Sequence, residues 1–202
     1  MFIQINQRYL KMVIFILSLF PIFYIIYQIL TNQLGPEPIK DITHHTGKWT
    51  LYFIVITLAM TPLKKITTLN IWINYRRMFG LFIFFYASVH FMTYIGLDYR
   101  FDLTSIGSDI IKKKYIFIGF SAWLLLIPLA VTSNKRMMKV LKDKWKKLHR
   151  LIYLISLFGA IHYLWLVKRD LTEPLIFLTV ILILLAFRIK FKGNLRSWFF
   201  KF

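Results

Sequence analysis

The sequence predicts an all-α integral membrane protein, a bundle of six helices, on three observations. First, 58% of the 202 residues are hydrophobic and only 17% are charged, against about 25% charged in an ordinary soluble domain. Second, the chain contains six stretches nearly free of Asp, Glu, Lys and Arg that approach the roughly 20 residues a helix needs to cross a bilayer. Third, its charges are sorted along the chain. Disorder is excluded, because apolar surface on this scale does not stay in water. With no cysteine there is no disulfide, thiolate nucleophile, iron–sulfur cluster or covalent c-type haem attachment, so a metal or cofactor must be held by His, Met, Tyr or carboxylates.

The spans follow in order. Residues 12–30 are uncharged, interrupted only by Pro21, and give a first helix over about 10–30. This stretch is too long for a signal-peptide core and no small-residue cleavage site follows, so it reads as a retained helix. The second, 47–63, is short and reaches spanning length with Lys48 extended to the headgroups. The third, 78–97, and the fourth, 115–134, are uncharged, with Pro128 near the end of the latter. The fifth, 149–167, and the sixth, 172–190, depend on Arg150, Arg188 and Lys190 reaching the interface in the same way. No connecting loop is long enough for a folded domain of its own, so residues 1–202 form one transmembrane domain.

Lys and Arg number 27 against 8 Asp and Glu, a formal charge of +19. An N-terminus placed inside puts 19 of the 27 basic residues on the same side: Arg8 and Lys11, Lys64 and Lys65, Arg76 and Arg77, the run over 135–150, and the tail from Arg188. Seven of the eight acids fall outside: Glu37, Asp41, Asp98, Asp102, Asp109, Asp170 and Glu173. Excess positive charge marks the cytoplasmic side, so both termini are expected in the cytoplasm. The basic runs are topology signals facing an anionic bilayer surface, and no nucleic-acid partner is expected.

Three of the five histidines lie in or at the edge of spans. An ionisable group at membrane depth is a functional candidate by default, although a histidine bonded to a neighbouring helix also serves packing. His90 stands thirteen residues past Arg77 and His162 twelve past Arg150, on two helices running the same way, so both sit at one depth near the outer side. Two neutral imidazoles at one level can clamp a haem iron between helices. Ala87 and Ser88, and Gly159 and Ala160, leave room for a flat ring. His149, at the inner boundary, would face a second group below the first, but the matching position on the third helix is Arg76 or Arg77. Thirteen residues also turn His149 about 140° away from His162, so the fifth helix must bend or His149 has another job. His44 and His45 are expected in the first outer loop, which the prolines Pro36 and Pro38 stiffen.

These residues resemble the ferric-reductase-like transmembrane cytochromes b, and within them the haem-binding subunits of periplasmic methionine sulfoxide reductase systems. The resemblance covers nearly the whole chain. It is carried by Gly35-Pro36-Glu37-Pro38-Ile39-Lys40-Asp41-Ile42-Thr43-His44 with Thr46-Gly47, Thr61-Pro62-Leu63, Arg76-Arg77 through Gly80-Leu81, Ser88-Val89-His90, Leu148-His149-Arg150-Leu151-Ile152-Tyr153 and Ile161-His162-Tyr163-Leu164-Trp165. What it implies is a six-helix cytochrome of the bacterial inner membrane with haem b, one or two copies, tied to His90, His149 and His162. It also implies FMN and delivery of electrons to a periplasmic molybdopterin reductase (MsrP) that repairs oxidised methionine. The wider superfamily often has four such histidines; here arginine stands where the fourth would lie.

The chain has neither a G-x-G-x-x-G fingerprint nor a Walker motif, so it does not oxidise NAD(P)H by the usual nucleotide-binding fold. Electrons must enter from the quinone pool or from a cytosolic flavin reductase, and the resemblance favours the pool. They must leave to a docked protein. At the inner side Arg76 and Arg77 are candidates for binding a cofactor's phosphate or carboxylates, and His44 for a role at the outer rim. Glu37, Asp41 and Asp102 are candidates for steering the periplasmic partner. Two alternatives stand beside this reading: a cytochrome b561-like quinol oxidoreductase serving another acceptor, and a non-redox transporter or assembly protein.

Overall fold

The computed structural model describes residues 7–188; the last two residues of the sixth expected span and the basic tail after Arg188 lie outside them. The described residues are almost wholly helical, without a β-strand. Six helices alternate in direction: α1 (Gln7–Leu30), α2 (Pro38–Thr67), α3 (Ile71–Met92), α5 (Lys114–Val131), α8 (Leu151–Leu166) and α9 (Thr172–Ala186). Short helices cap the two ends, α4 (Leu103–Lys112) at one, α6 (Lys135–Leu141) and α7 (Asp143–Leu148) at the other. The end carrying α4 holds most of the acids and is called the acidic end; the opposite end, with α6 and α7, is the basic end. By length and composition α1, α2, α3 with its extension to Asp98, and α5 can each cross a membrane. The other two long helices are shorter.

The helices are set out by few sequence signals. At α2, Pro38 in the first turn presets the helical backbone angle where no N–H is needed. Thr43, Thr46 and Thr50 turn their hydroxyls back onto the carbonyls of the preceding turn. Residues 38–46, expected as outer loop, are therefore the first turns of α2, and His44 and His45 ride on a helix. The expectation of bare connecting loops is corrected likewise. Asp102 caps α4, accepting the Thr104 and Ser105 N–H groups, and Asn134 caps α6 by accepting the Met137 N–H.

Five of the long helices form a ring in the order α2, α3, α5, α8, α9, closed by contact of α9 with α2, while α1 lies outside against α2 and α3. Phe53 stacks on Phe79, Phe82 and Tyr86 at ring separations of 6.0, 5.4 and 5.2 Å, locking α2 to α3. Ile54, Leu58, Ile83, Ile155 and Ile181 fill the centre with almost no exposed surface. The buried Tyr86 hydroxyl donates to the Ser18 carbonyl at 2.8 Å and ties on α1. The outward faces are apolar as well, with Leu17, Phe20 and Phe23 on α1 each at least 60% exposed, as lipid rather than water as solvent allows.

Proline in α2 creates a defect that α9 repairs. Pro62 has no N–H, so the Leu58 carbonyl one turn earlier loses its helical partner. Arg188 supplies the missing donor at 2.8 Å and also donates to the Tyr153 hydroxyl at 2.9 Å, binding α9, α2 and α8 together.

Candidate functional site

Between α2, α3, α5 and α8, towards the acidic end, lies a cavity of about 640 Å³, within the size range of cofactor sites. Its walls are apolar, with Phe91, Trp123, Leu126 and Ile155 among them, and both His90 and His162 face it. The two imidazoles are 6.1 Å apart between ring centroids with planes at 79°. Two imidazoles bonded to one metal ion through opposed nitrogens, each roughly 2 Å away, have their ring centres about 6 Å apart.

The same local device holds each ring. His90 Nδ1 lies 2.9 Å from the Thr43 carbonyl on α2, and His162 Nδ1 lies 2.7 Å from the Tyr115 carbonyl on α5. A carbonyl only accepts, so Nδ1 carries the proton in both rings, and Nε2 keeps its lone pair for a metal. One turn beyond each carbonyl stands a glycine. A Cβ at Gly47 would come within 3.1 Å of His90 Cε1, and one at Gly119 within 2.6 Å of His162 Nδ1. Any other residue at 119 would collide with the ring, and at 47 would crowd it. A backbone carbonyl on Nδ1 fixes the tautomer and ring orientation and strengthens the ring as a ligand.

The structure thus brings together His90 and His162, which equal depth had paired, and adds Gly119, which sequence reasoning missed, and a role for Gly47, which the resemblance included without one. The spacing of four between carbonyl and glycine, Thr43 to Gly47 and Tyr115 to Gly119, was visible but has no meaning until the facing histidine is known. Of the small residues expected to make room, Ala87 and Gly159 do line the cavity. Ser88 instead accepts the Trp123 indole N–H at 3.0 Å, and Ala160 is buried in the core.

At the mouth the polar residues are paired. Lys40 meets Glu37 at 2.7 Å, Lys48 meets Glu173 at 2.6 Å, and Lys113 meets Asp109, which also accepts the Tyr99 hydroxyl. His44 borders the mouth, while His45 turns away and its Nε2 donates to the Pro21 carbonyl at 3.0 Å. The acids proposed for docking all have local work. The Lys40 ammonium holds the Glu37 carboxyl below its usual range, Asp41 accepts the Gly35 N–H at 2.9 Å, and the Ser105 hydroxyl and N–H do the same for Asp102 as Lys40 does for Glu37.

His149 does not line this cavity. It follows α7 at the basic end, stacked on Trp145 at 3.8 Å between ring centroids, with Nδ1 3.1 Å from the Trp145 carbonyl and Nε2 3.4 Å from Ser133 Oγ. Arg77 reaches the Met138 sulfur at 3.6 Å, and Arg76 faces Tyr153 and His149. Among the described residues no group of three or more His, Cys, Asp or Glu side chains is placed to hold a bare metal ion.

The family described as "Ferric reductase like transmembrane component" matches residues 46–160, a stretch that contains α3, α5 and most of α8. A curated protein of Herminiimonas arsenicoxydans, named protein-methionine-sulfoxide reductase heme-binding subunit MsrQ, is 45% identical over 93% of this chain and 88% of its own length. The protein of the same name from Xanthomonas euvesicatoria pv. vesicatoria is 46% identical over 83% of this chain and 77% of its own. No solved structure matches.

Proposed function

The chain belongs to the ferric-reductase-like transmembrane family and, within it, to the MsrQ subunits, and from that premise we propose that it is a haem b electron-transfer subunit serving a periplasmic methionine sulfoxide reductase. The observation that carries this reading is the His90–His162 pair, 6.1 Å apart across a largely apolar cavity, each with Nδ1 tied to a backbone carbonyl and Nε2 left for a ligand.

The residues fit the group. Haem b bound here would supply a one-electron ferric/ferrous couple in a low-dielectric setting. His90 and His162 would hold it, the Thr43 and Tyr115 carbonyls orient their rings, and Gly47 and Gly119 admit the rings. Phe91, Trp123 and Leu126 give the cavity its apolar wall, against which the ring would pack. The chain's own work is to bind, orient and insulate.

The finer assignments belong to the same proposal. The sorting of charge supports an inner-membrane protein with cytoplasmic termini and the acidic end in the periplasm. The partner there is a molybdopterin reductase of the MsrP kind, met by a face carrying Glu37, Asp41 and Asp102. Electrons come from the quinone pool or from a cytosolic flavin reductase. At the basic end the cations around Arg76, Arg77 and His149 suit a phosphate or carboxylate, which is where FMN or an inner haem would be held.

A reduced-minus-oxidised spectrum of membranes carrying the protein should show a low-spin b-type haem. Addition of the oxidised periplasmic reductase should then reoxidise the reduced haem. A flat difference spectrum would overturn the haem reading, and a haem that reductase and methionine sulfoxide leave reduced would overturn the assignment of partner.

A further inference from the structure

The short helix α4 is held to the bundle by little. Of its ten residues only Ile106 is buried, and Asp109 links it to Tyr99 and Lys113. Two rows of residues four apart run along its outer side. Leu103, Gly107 and Ile111 form the first: Leu103 is 73% and Ile111 83% exposed, and a Cβ added at Gly107 would meet nothing within 4 Å. Thr104, Ser108 and Lys112 form the second, about 100° further round the helix. One outer face is thus apolar and the next polar. Such a helix suits three surroundings at once: the bundle at Ile106, an apolar medium at Leu103 and Ile111, and water at Ser108 and Lys112.

The spans on either side set the level at which α4 lies. Twenty uncharged residues separate Arg77 from Asp98 on α3, and twenty follow Lys114 from the start of α5. At about 1.5 Å per residue each stretch measures roughly 30 Å, the thickness of the hydrocarbon layer. Asp98 and Lys114 therefore both stand at the boundary of that layer, and α4 is strung between them. Residues 99–102 make a tight turn, in which the Asp102 N–H donates to the Tyr99 carbonyl at 2.9 Å, and Lys113 alone joins α4 to α5. Connections this short keep α4 at the level of the headgroups. The apolar row is of a kind with the lipid-facing sides of the flanking helices, where Leu97 and Phe117 are exposed. Lys112 and Lys114, exposed at the same end of α4 as Ile111, suit the phosphates of that layer.

We propose that α4 is an interfacial helix that binds the phospholipid surface at the acidic end: Leu103 and Ile111 enter the acyl boundary, while Ser108 and Lys112 face water. Asp109 and Lys113 also line the cavity, so the bilayer surface holds one lip of its mouth. This inference needs only that the chain spans a membrane, and stands apart from the haem assignment.

The test uses the full-length chain, which has no cysteine of its own, so that one introduced thiol is the sole site of labelling. Leu103→Cys, Ile111→Cys, Ser108→Cys and Leu124→Cys are each given a nitroxide and reconstituted into vesicles of phosphatidylethanolamine and phosphatidylglycerol. Collision with oxygen, which concentrates in the bilayer, is compared with collision with a water-soluble nickel chelate. Labels at 103 and 111 should favour oxygen over nickel several-fold more than the label at 108. The label at 124, on α5 and about 15 Å further in than Lys114, should favour oxygen more strongly still. Nickel access at 103 and 111 equal to that at 108 would leave the row in water and overturn the proposal. Labels at 103 and 111 shielded only once the periplasmic reductase is added would overturn it too, because the occupant would be a protein. Labels there as deep as the one at 124 would place α4 inside the hydrocarbon, with the same result. In the unsubstituted protein, a phospholipid with a diazirine near the start of its acyl chain should photolabel the 103–111 row. Labelling of α5 without labelling of α4 would overturn the proposal independently of any variant.

Discussion

The two ends of the bundle use histidine in opposite ways. Towards the acidic end, His90 and His162 reach across to carbonyls of other helices, Thr43 on α2 and Tyr115 on α5, and glycine leaves space for each ring. Their partners lie 47 residues away in sequence in both cases, so the rings stay in place only while the tertiary fold does. At the basic end, His149 bonds the carbonyl of its own preceding turn and stacks on Trp145 of the short helix α7 just before it. Long-range anchoring of Nδ1 leaves Nε2 free for a ligand beside an open cavity, whereas local anchoring with Ser133 near Nε2 fills the ring's surroundings with protein. The contrast separates a histidine set up to bind something from one whose two ring nitrogens both already have protein partners.

The largest effect expected from this contrast is on the spectrum. His90→Ala or His162→Ala should abolish low-spin haem absorption while the protein remains in the membrane, and His149→Ala should leave the haem held by the other two intact. A normal spectrum in either of the first two variants would break the comparison. A lost spectrum in the third would show that the ends are coupled.

Next come the glycines. Gly119→Ala places a methyl group 2.6 Å from His162 Nδ1, so the ring or the helix must move, at a cost of about 1–3 kcal/mol and with most of the bound haem lost. Gly47→Ala, with its nearest contact at 3.1 Å, should lower haem occupancy less. Gly80→Ala on α3 meets nothing within 4 Å and should leave both haem content and thermal stability near wild type. Haem-to-protein ratios of the three variants, in that order, sharpen the comparison, and equal ratios would refute it.

A smaller effect is expected at the basic end, where Arg188 acts on structure. Arg188→Ala leaves the Leu58 carbonyl without a donor and should cost about 1–3 kcal/mol of stability with the haem spectrum unchanged. Adding Pro62→Ala restores a backbone N–H to that carbonyl, so the loss should shrink in the double variant when thermal unfolding in detergent is followed. Independent, additive losses would show that Arg188 does not compensate for the proline.

The smallest effect concerns the outer acids. Glu37→Gln, Asp41→Asn and Asp102→Asn together keep the shape of each side chain, and Asn still caps α4, so folding should be unaffected. Haem oxidation by the periplasmic reductase should slow at low ionic strength, and the defect should fade as salt screens the charges. Unchanged rates across that range would place docking on another surface.

The membrane character, the helices and the pairing of His90 with His162 were legible in the sequence because each rests on a one-dimensional property. Apolar run length determines whether a helix can cross a bilayer. Residue count from a charged boundary determines depth, since a helix rises by a constant step. The ends of elements were less legible. Residues 38–46 look polar and proline-rich, yet Pro38 starts a helix there, and a polar composition does not distinguish an exposed helical turn from a loop. What only the tertiary structure decided is which backbone atoms meet which rings. Gly47 and Gly119 differ from Gly80 in what stands opposite them, and Arg188 has its role because Pro62 of a distant helix leaves the Leu58 carbonyl without an N–H. Such contacts depend on the azimuth and neighbours of helices far apart in the chain, and these are fixed by packing, not by local propensity.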